Sequence, residues 1–184
     1  MQDYREFLAE ILIDEQALQS RVRSLGEEIS RDYQGKDLLL VCILRGAVLF
    51  LADLMRALTV PHTVDFMAVS SYGAGARQTQ GQVRIWLDLI TPIEGKDVLV
   101  VEDIIDSGHT IASVLDLLSA RRPRSLRVCS LLDKHERREV NISIDYRGFA
   151  IPNKFVFGYG LDFDEYYRNL PFIGVARLSG SVSS

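Results

Sequence analysis

The sequence is poor in the residues that build disulfide-linked or zinc-bound folds. It has 184 residues and two cysteines, Cys42 and Cys129, with no CxxC spacing. Each cysteine lies within an apolar, strand-like run. We therefore expect two buried, reduced thiols in a reducing compartment rather than a zinc site.

Long apolar runs and a large excess of one charge are also missing. No run approaches the roughly 20 apolar residues that a membrane-spanning helix needs. Residues 1–10 carry Asp3, Arg5, Glu6 and Glu10, whereas a signal peptide has a basic start and an apolar middle. We therefore predict a cytoplasmic protein without a membrane partner. The net charge of −4 gives no overall attraction to nucleic acid, so no nucleic-acid partner is expected.

Two common nucleotide-binding motifs are absent. The first apolar run leads into residues 44–49, LRGAVL, which do not match GxGxxG, and GxxxxGK[ST] occurs nowhere in the chain. These absences disfavour a dinucleotide-dependent oxidoreductase and a P-loop nucleotidase. No Ser-His-Asp or Cys-His set is evident either, which disfavours covalent catalysis.

What is present is the composition of an ordinary globular protein. The chain is 47% hydrophobic and 25% charged. Its length fits a single domain, residues 1–184. The small, polar tail at residues 180–184 is predicted to be disordered.

Strand-like and helix-like patterns alternate along the chain. Asp14 is a candidate N-cap for a helix whose apolar positions, Leu18, Val22, Leu25 and Ile29, recur every three to four residues. The further predicted elements are strand 37–44, helix 46–58, strands 64–69, 83–89 and 97–101, helix 110–118, and strands 126–132, 155–157 and 172–176. This order predicts an α/β fold with a mainly parallel sheet flanked by helices. Ligands bind such sheets beyond the carboxyl ends of the strands.

The most informative stretch is residues 100–110, VVEDIIDSGHT. A buried strand leads to Glu102, Asp103 and Asp106, and then to a turn of small residues that opens a helix. Backbone N–H groups at such a helix N-terminus favour a phosphate, yet three carboxylates should repel one. A ribose phosphate with a bound metal satisfies both demands, since the carboxylates can face sugar hydroxyls and the cation.

This stretch resembles the signature with which type I phosphoribosyltransferases bind phosphoribosyl pyrophosphate (PRPP). The resemblance covers about residues 11–178, includes four motifs in the expected order, and points to the hypoxanthine-guanine branch. It implies a small hood built from chain-terminal segments and a flexible lid loop. It also implies transfer of the 5-phosphoribosyl group from PRPP to hypoxanthine or guanine with Mg²⁺ as cofactor, giving IMP or GMP and pyrophosphate. Relatives are commonly dimers or tetramers, so a homo-oligomer is expected.

The resemblance assigns roles to the residues of the central stretch. Glu102 and Asp103 would bind the ribose hydroxyls and magnesium, and Asp106 would accept the proton of the purine N7. The 5′-phosphate would lie in the turn formed by Asp106, Ser107, Gly108, His109 and Thr110. His109 departs from the family, because many relatives carry lysine there.

Other segments resemble the family's pyrophosphate site and lid. Arg45, Gly46 and Arg168 would bind pyrophosphate, and the peptide bond before the glycine is often cis in relatives. The polar stretch 71–82 looks like a mobile loop by composition. Its first residues, Ser71 and Tyr72, resemble the start of the lid, which would exclude water on closing.

The purine site is implied by two further segments. Lys134 resembles the lysine that contacts the purine O6, and an ammonium, which only donates hydrogen bonds, suits a 6-oxo group better than the 6-amino group of adenine. Phe155 would stack on the base and Val156 would bind its edge through the backbone. Asp162, in the same segment, would bind magnesium.

A regulator on the same scaffold, binding nucleotide and RNA, is the alternative. Arg121, Arg122, Arg124 and Arg127 cluster near a predicted helix end. Cations at a helix C-terminus are ordinary, however, and the net negative charge argues against a large nucleic-acid surface.

Overall fold

The computed structural model describes residues 3–71 and 83–177, with Ser71 described by its backbone alone. Its elements in chain order are β1 (Leu8–Ile13), α1 (Glu15–Asp32), β2 (Leu38–Leu44), α2 (Val48–Ala57), β3 (His62–Ser71), β4 (Val83–Leu87), β5 (Asp97–Ile105), α3 (His109–Ser119), β6 (Ser125–Asp133), β7 (Tyr146–Ala150), β8 (Val156–Phe157) and β9 (Ile173–Ala176). The predicted lid residue Tyr72 and the predicted disordered tail lie outside the described residues.

Six strands form the central sheet in the order β4-β3-β2-β5-β6-β7. The β3–β4 pair is antiparallel and the other four pairs are parallel. Both faces of β2 are covered. Leu38, Leu40 and Cys42 pack in a cluster with residues of α1 and α2. Leu39 and Val41 pack in a second cluster with residues of α3. This confirms the predicted mainly parallel sheet flanked by helices.

A smaller sheet lies beside the central one. It has the order β1-β9-β8, with antiparallel pairing throughout. An aromatic cluster supports it, in which Phe7 stacks on Phe163 at 4.4 Å between ring centroids and also contacts Phe157. Because β1 comes from one end of the chain and β8 and β9 from the other, this sheet is the predicted hood of chain-terminal segments.

Local signals in α1 and in the thiols are confirmed. The Asp14 carboxylate accepts a hydrogen bond from the backbone N–H of Ala17 at 2.8 Å, as an N-cap does. The four predicted apolar positions of α1, from Leu18 to Ile29, are buried. Cys42 and Cys129 are free and fully buried, and burial raises the pKa of both thiols.

Three strand predictions need correction. β5 continues through Ile105 instead of ending at residue 101, because its pairing with β6 extends to the pair Ile105–Asp133. Glu102 and Asp103 therefore lie within the strand. β1 and β7 were not predicted at all. β1 is largely exposed and is held by pairing with β9, while β7 contains Gly148 and pairs with the long strand β6. Their strand conformation depends on distant partners rather than on local pattern.

Candidate active site

A pocket lies at the carboxyl end of β5, where the strand turns into α3. The pocket is open and has a volume of about 130 Å³. Its lining residues are Glu102, Ile104, Ile105, Asp106, Ser107, Gly108, Thr110 and Ile111. The structure thus brings together five predicted site residues from a single stretch of chain, at the edge of the sheet where ligands bind in such folds.

The turn into α3 places a glycine in the left-handed conformation at the start of the helix. Gly108 is the N-cap of α3 and has a left-handed φ of 93°, which glycine adopts without strain. The carbonyl of Ser107 accepts hydrogen bonds from the N–H groups of Glu139 and Val140, which fixes the outer side of the turn. His109 is exposed and its Nε2 lies 2.9 Å from Glu139 Oε2. The His109 ring is therefore engaged by a neighbouring carboxylate.

Glu102 carries a carboxylate oxygen with unmet hydrogen-bonding capacity. Among the described residues, its Oε2 is inaccessible to water and has no hydrogen-bond partner. Burial, together with the nearby negative charge of Asp103, raises the pKa of Glu102 well above its ordinary value. An unpaired buried carboxylate is costly, so a cation or hydroxyl donor supplied by a ligand would stabilise it.

Asp103 lies against the loop that follows β2. A Cβ added to the buried Gly46 would lie 1.5 Å from Asp103 Oδ2, so only glycine allows this approach. Burial is the main cause that raises the pKa of Asp103 to about 6, and the charge of Asp162 also raises it. The N–H of Ile104 and the charge of Arg168 lower it. Asp103 thus connects the β5 carboxylates with the predicted pyrophosphate loop and with the C-terminal segment.

The cis peptide bond of this loop is one residue earlier than the family pattern implied. It joins Leu44 to Arg45, whereas the resemblance placed it between Arg45 and Gly46.

The C-terminal segment places two arginines near each other. Arg168 donates from Nη1 to the Gly160 carbonyl at 2.8 Å, and its Nη2 lies 2.8 Å from Asp162 Oδ1. The Arg45 guanidinium lies 2.8 Å from Glu165 Oε2, and Arg168 Nη2 lies 3.5 Å from the same oxygen. Glu165, which the sequence did not single out, therefore bridges the two predicted pyrophosphate-binding arginines.

Asp106 is held by two cations from the segment after β6. Lys134 Nζ lies 3.6 Å from Asp106 Oδ2 and is 10% exposed, while Asp106 is 44% exposed. Arg137 Nε lies 3.1 Å from Asp106 Oδ1, though without hydrogen-bond geometry. The structure thereby places Asp106, the predicted proton acceptor, beside Lys134, the residue predicted to contact the purine O6. Arg137 was missed, since nothing distinguishes it within the charged stretch of residues 133–139.

The predicted base-stacking residue lies on the hood. Phe155 is 44% exposed and meets Phe163 edge-on at 5.7 Å, and Val156 is buried in β8. The Phe155 carbonyl accepts a hydrogen bond from the N–H of Ala176 at 2.9 Å, which holds this residue on the hood sheet. Phe155 therefore offers an accessible ring face, which is what a stacking residue requires.

A magnesium ion fits the donor set, although no complete cage exists. Within residues 3–70 and 83–177, no three His, Cys, Asp or Glu side chains form a ready metal-binding group. Magnesium commonly binds one or two carboxylates and completes its coordination with water and substrate phosphates. The unpaired Glu102 oxygen and the adjacent charges of Asp103 and Asp162 suit that mode.

The arginine cluster that motivated the RNA alternative is neutralised by acidic partners. Each of its four arginines lies within 3.2 Å of a carboxylate, in the pairs Arg121–Asp88, Arg122–Glu94, Arg124–Asp97 and Arg127–Asp32. Cations already paired in this way form a poor nucleic-acid surface. In the described part of the chain, no helix is long and apolar enough to cross a membrane.

Comparison with known proteins agrees with this geometry. The sequence model of the phosphoribosyl transferase domain matches residues 9–164. The chain therefore belongs to the phosphoribosyl transferase family.

The similar proteins named below belong to one branch of the family. The chain is 50% identical to hypoxanthine phosphoribosyltransferase from Escherichia coli (strain K12) over 167 residues, 90% of this chain and 93% of that protein. It is 51% identical to hypoxanthine-guanine phosphoribosyltransferase from Mycobacterium bovis over 170 residues, 89% of this chain and 84% of that protein. The crystal structure of a hypoxanthine phosphoribosyltransferase from Staphylococcus aureus superposes with a TM-score of 0.90 at 44% identity, covering 95% of this chain and 94% of the other.

Proposed function

We propose that this enzyme transfers the 5-phosphoribosyl group from PRPP to hypoxanthine or guanine, giving IMP or GMP and pyrophosphate. The observation that carries the proposal is the pocket at the end of β5. There a phosphate-type turn, the carboxylates Glu102 and Asp106, and Lys134 beside Asp106 meet at one edge of the sheet. The similarity to hypoxanthine and hypoxanthine-guanine phosphoribosyltransferases supports the same reaction.

The phosphate and sugar of PRPP would lie along the β5–α3 turn. The 5′-phosphate would accept hydrogen bonds from the backbone N–H groups of the turn, aided by the hydroxyls of Ser107 and Thr110. The ribose hydroxyls would donate to Glu102 and Asp103, which relieves the unpaired Glu102 oxygen. His109, already beside Glu139, would contribute to the phosphate mainly through its backbone.

The leaving pyrophosphate would be held on the other side of the pocket. Arg45 and Arg168 supply guanidinium groups suited to a diphosphate, and Gly46 lets the loop pack against Asp103. Magnesium held by Glu102, Asp103 and Asp162 would offset the charge that builds up on the departing diphosphate. Binding of PRPP would displace Glu165 from the two arginines.

Purine recognition would depend on Lys134 and Asp106. The Lys134 ammonium only donates hydrogen bonds, so it favours a 6-oxo purine over adenine. Asp106, 3.6 Å away, would accept the purine N7 proton while N9 of the same ring attacks the anomeric carbon and pyrophosphate leaves. Phe155 would stack on the base, while Val156 would bind its edge through the backbone. No covalent enzyme intermediate is required.

Several expectations remain part of this proposal. They are the cytoplasmic location, the assembly into a dimer or tetramer, the single domain of residues 1–184, and the lid that begins at Ser71 and Tyr72. Nothing in the described residues favours the RNA-binding regulator, because its arginines are paired with acids.

The deciding experiment measures nucleotide formation from PRPP and magnesium with hypoxanthine, guanine, xanthine and adenine in separate reactions. We expect rapid product with hypoxanthine or guanine and almost none with adenine. Product with adenine would retain the transferase reaction but contradict the role given to Lys134. No product with any purine, from a folded protein that still binds PRPP, would contradict the proposed reaction.

A further inference from the structure

A short turn in the C-terminal segment, after the hood strand β8, contacts the central domain. It spans residues 158–161, and its Tyr159 side chain is buried, with 6% exposed, in the main hydrophobic cluster. The Tyr159 hydroxyl donates a hydrogen bond of 2.6 Å to Asp53 Oδ2. Asp53 lies in α2, so this bond links two segments that are 106 residues apart in the chain.

The same turn contacts both halves of the proposed pyrophosphate site. Gly160 packs so closely on the loop after β2 that an added Cβ would lie 2.0 Å from the Gly46 carbonyl oxygen. The N–H of Gly160 donates to the Arg168 carbonyl at 2.8 Å, and Arg168 Nη1 donates back to the Gly160 carbonyl at 2.8 Å. A shift of Tyr159 would therefore move Gly160, and with it Arg168.

The acceptor, Asp53, is equally well connected to the loop. α2 begins at Val48, and the N–H of Leu51 donates to the carbonyl of Ala47 at 2.8 Å, directly after Gly46. Asp53 lies near the middle of this helix, and its second carboxylate oxygen pairs with Arg56 at 2.9 Å. The carboxylate is thus oriented, with one oxygen toward Arg56 and the other toward Tyr159.

We propose that Tyr159 is a positioning residue, whose hydrogen bond to Asp53 sets Arg168 against the Arg45–Gly46 loop so that both arginines reach one diphosphate. The inference rests on the proposed pyrophosphate-binding role of these arginines. Burial raises the pKa of the Tyr159 phenol, so it stays protonated and donates across the working pH range. Its backbone φ of 48° is unusual for a residue other than glycine, and the side-chain anchor stabilises that conformation.

The test is Tyr159→Phe, which removes the hydroxyl and keeps the ring. We expect the KM for PRPP, and for pyrophosphate in the reverse reaction, to rise by about 5- to 10-fold, the order of the net contribution of one hydrogen bond. The KM for hypoxanthine should change less than about twofold, because Lys134 is untouched. A misplaced Arg168 would weaken the binding of PRPP and pyrophosphate alone. A general loosening of the fold would weaken the binding of hypoxanthine as well.

Tyr146→Phe is the matched control. The Tyr146 hydroxyl also donates to an aspartate, Asp32 Oδ2, at 2.6 Å, and it accepts from Arg127 Nη1 at 2.9 Å, at the amino end of β7 and away from the pocket. Because it removes two hydrogen bonds, this control should lower the Tm at least as much as Tyr159→Phe and leave both KM values unchanged. Asp53→Ala should raise the KM for PRPP as much as Tyr159→Phe does. The double variant should have a KM no higher than either single variant. Asp53→Asn, which keeps an acceptor oxygen, should have a KM for PRPP closer to that of the wild type.

Two results would overturn the inference. One is an unchanged KM for PRPP and pyrophosphate in Tyr159→Phe with a Tm loss like that of Tyr146→Phe, which would make the contact purely structural. The other is an equal rise in the KM values for PRPP and hypoxanthine. A wild-type enzyme without activity would instead contradict the proposed function itself, and this inference with it.

Discussion

Asp106 is the carboxylate whose surroundings bear most directly on the chemistry. It lies beside Lys134 at 3.6 Å and Arg137 at 3.1 Å, on the wall of the pocket. Lys134 is 28 residues away in the chain and reaches Asp106 because β5 and β6 are adjacent and parallel.

We expect Asp106→Asn to lower kcat by roughly 10²–10⁴-fold, the usual contribution of a positioned acid or base. An amide cannot accept the purine proton, although it keeps nearly the same shape. The measurement is steady-state nucleotide formation with hypoxanthine, with folding checked by circular dichroism. Asp116→Asn, the same change on the exposed face of α3, should retain wild-type turnover. Wild-type kcat in folded Asp106→Asn would refute the role.

At the scale of elements, the loop after β2 depends on two close backbone approaches. Gly46 faces the Asp103 carboxylate, and Gly160 faces the Gly46 carbonyl. Gly160 has a φ of 98°, and its neighbour in the contact is backbone, which cannot rotate away as a side chain could. The loop and the C-terminal turn therefore form one packed unit.

We expect Gly160→Ala to raise the KM for PRPP at least about tenfold and to destabilise the fold by about 2–4 kcal/mol. The added methyl brings both left-handed strain and overlap with Gly46. Gly35→Ala isolates the strain, because Gly35 has a φ of 73° with open space around it. Gly35→Ala should lower the free energy of unfolding by about 1 kcal/mol and leave the KM for PRPP unchanged. Equal effects of the two substitutions in kinetics and thermal unfolding would contradict the packing argument.

A second element, the loop after β4, is held by a buried carboxylate. Asp65 in β3 is 7% exposed and accepts hydrogen bonds from the N–H groups of Phe66, Ile90 and Thr91. Burial raises the pKa of Asp65, but these donors outweigh burial and leave the pKa below its ordinary value of 3.8. The ionised form therefore stabilises the fold.

We expect Asp65→Asn to lower the Tm at neutral pH by about 4–10 °C, since an amide cannot accept with both side-chain groups. The pKa is lowered in the folded state, so the stabilisation is present above pH 3.8 and is lost as the pH falls through the folded value. Thermal unfolding from pH 3 to 7 should show the two proteins converging at low pH. Asp37→Asn, which removes an exposed partner of Lys96, should change the Tm little at any pH. A constant Tm difference would contradict the charge argument.

At the scale of the whole molecule, ligand binding should stabilise the fold through several segments at once. PRPP would contact the loop after β2, the β5–α3 turn and the C-terminal segment, which belong to the central domain and the region of the hood. With PRPP and magnesium at about 100 times the Kd, unfolding should cost about 2.7 kcal/mol more and the Tm should rise about 5–10 °C.

Metal removal gives the corresponding control. Chelation with EDTA should abolish most of the PRPP-dependent Tm increase, because the diphosphate would then face Glu102 and Asp103 without a cation between them. A Tm increase with PRPP that is unaffected by EDTA would contradict the proposed magnesium site. Differential scanning fluorimetry of wild-type protein with each ligand alone and together makes the comparison.

The amino-acid sequence by itself determined the features that depend on neighbouring residues. The N-cap of α1 at Asp14, the burial of its apolar positions, the succession of strand, turn and helix after Asp97 and the α/β order all follow from spacing along the chain, although the end of β5 does not. The glycine at the start of α3 belongs with them, because Gly108 adopts a left-handed φ that other residues rarely adopt. Periodicity and capping act within a few residues, so a linear pattern is enough to predict them.

The tertiary structure alone decided which distant residues meet. Glu165 bridges Arg45 and Arg168, Asp103 faces Gly46, and Tyr159 reaches Asp53. The strands β1 and β7 also exist through their partners. Local sequence patterns do not predict these contacts, because each contact depends on strand order, register and the packing of the hood on the central domain. The types of the individual residues indicate the chemistry of the site, whereas the packing that brings them together sets its geometry.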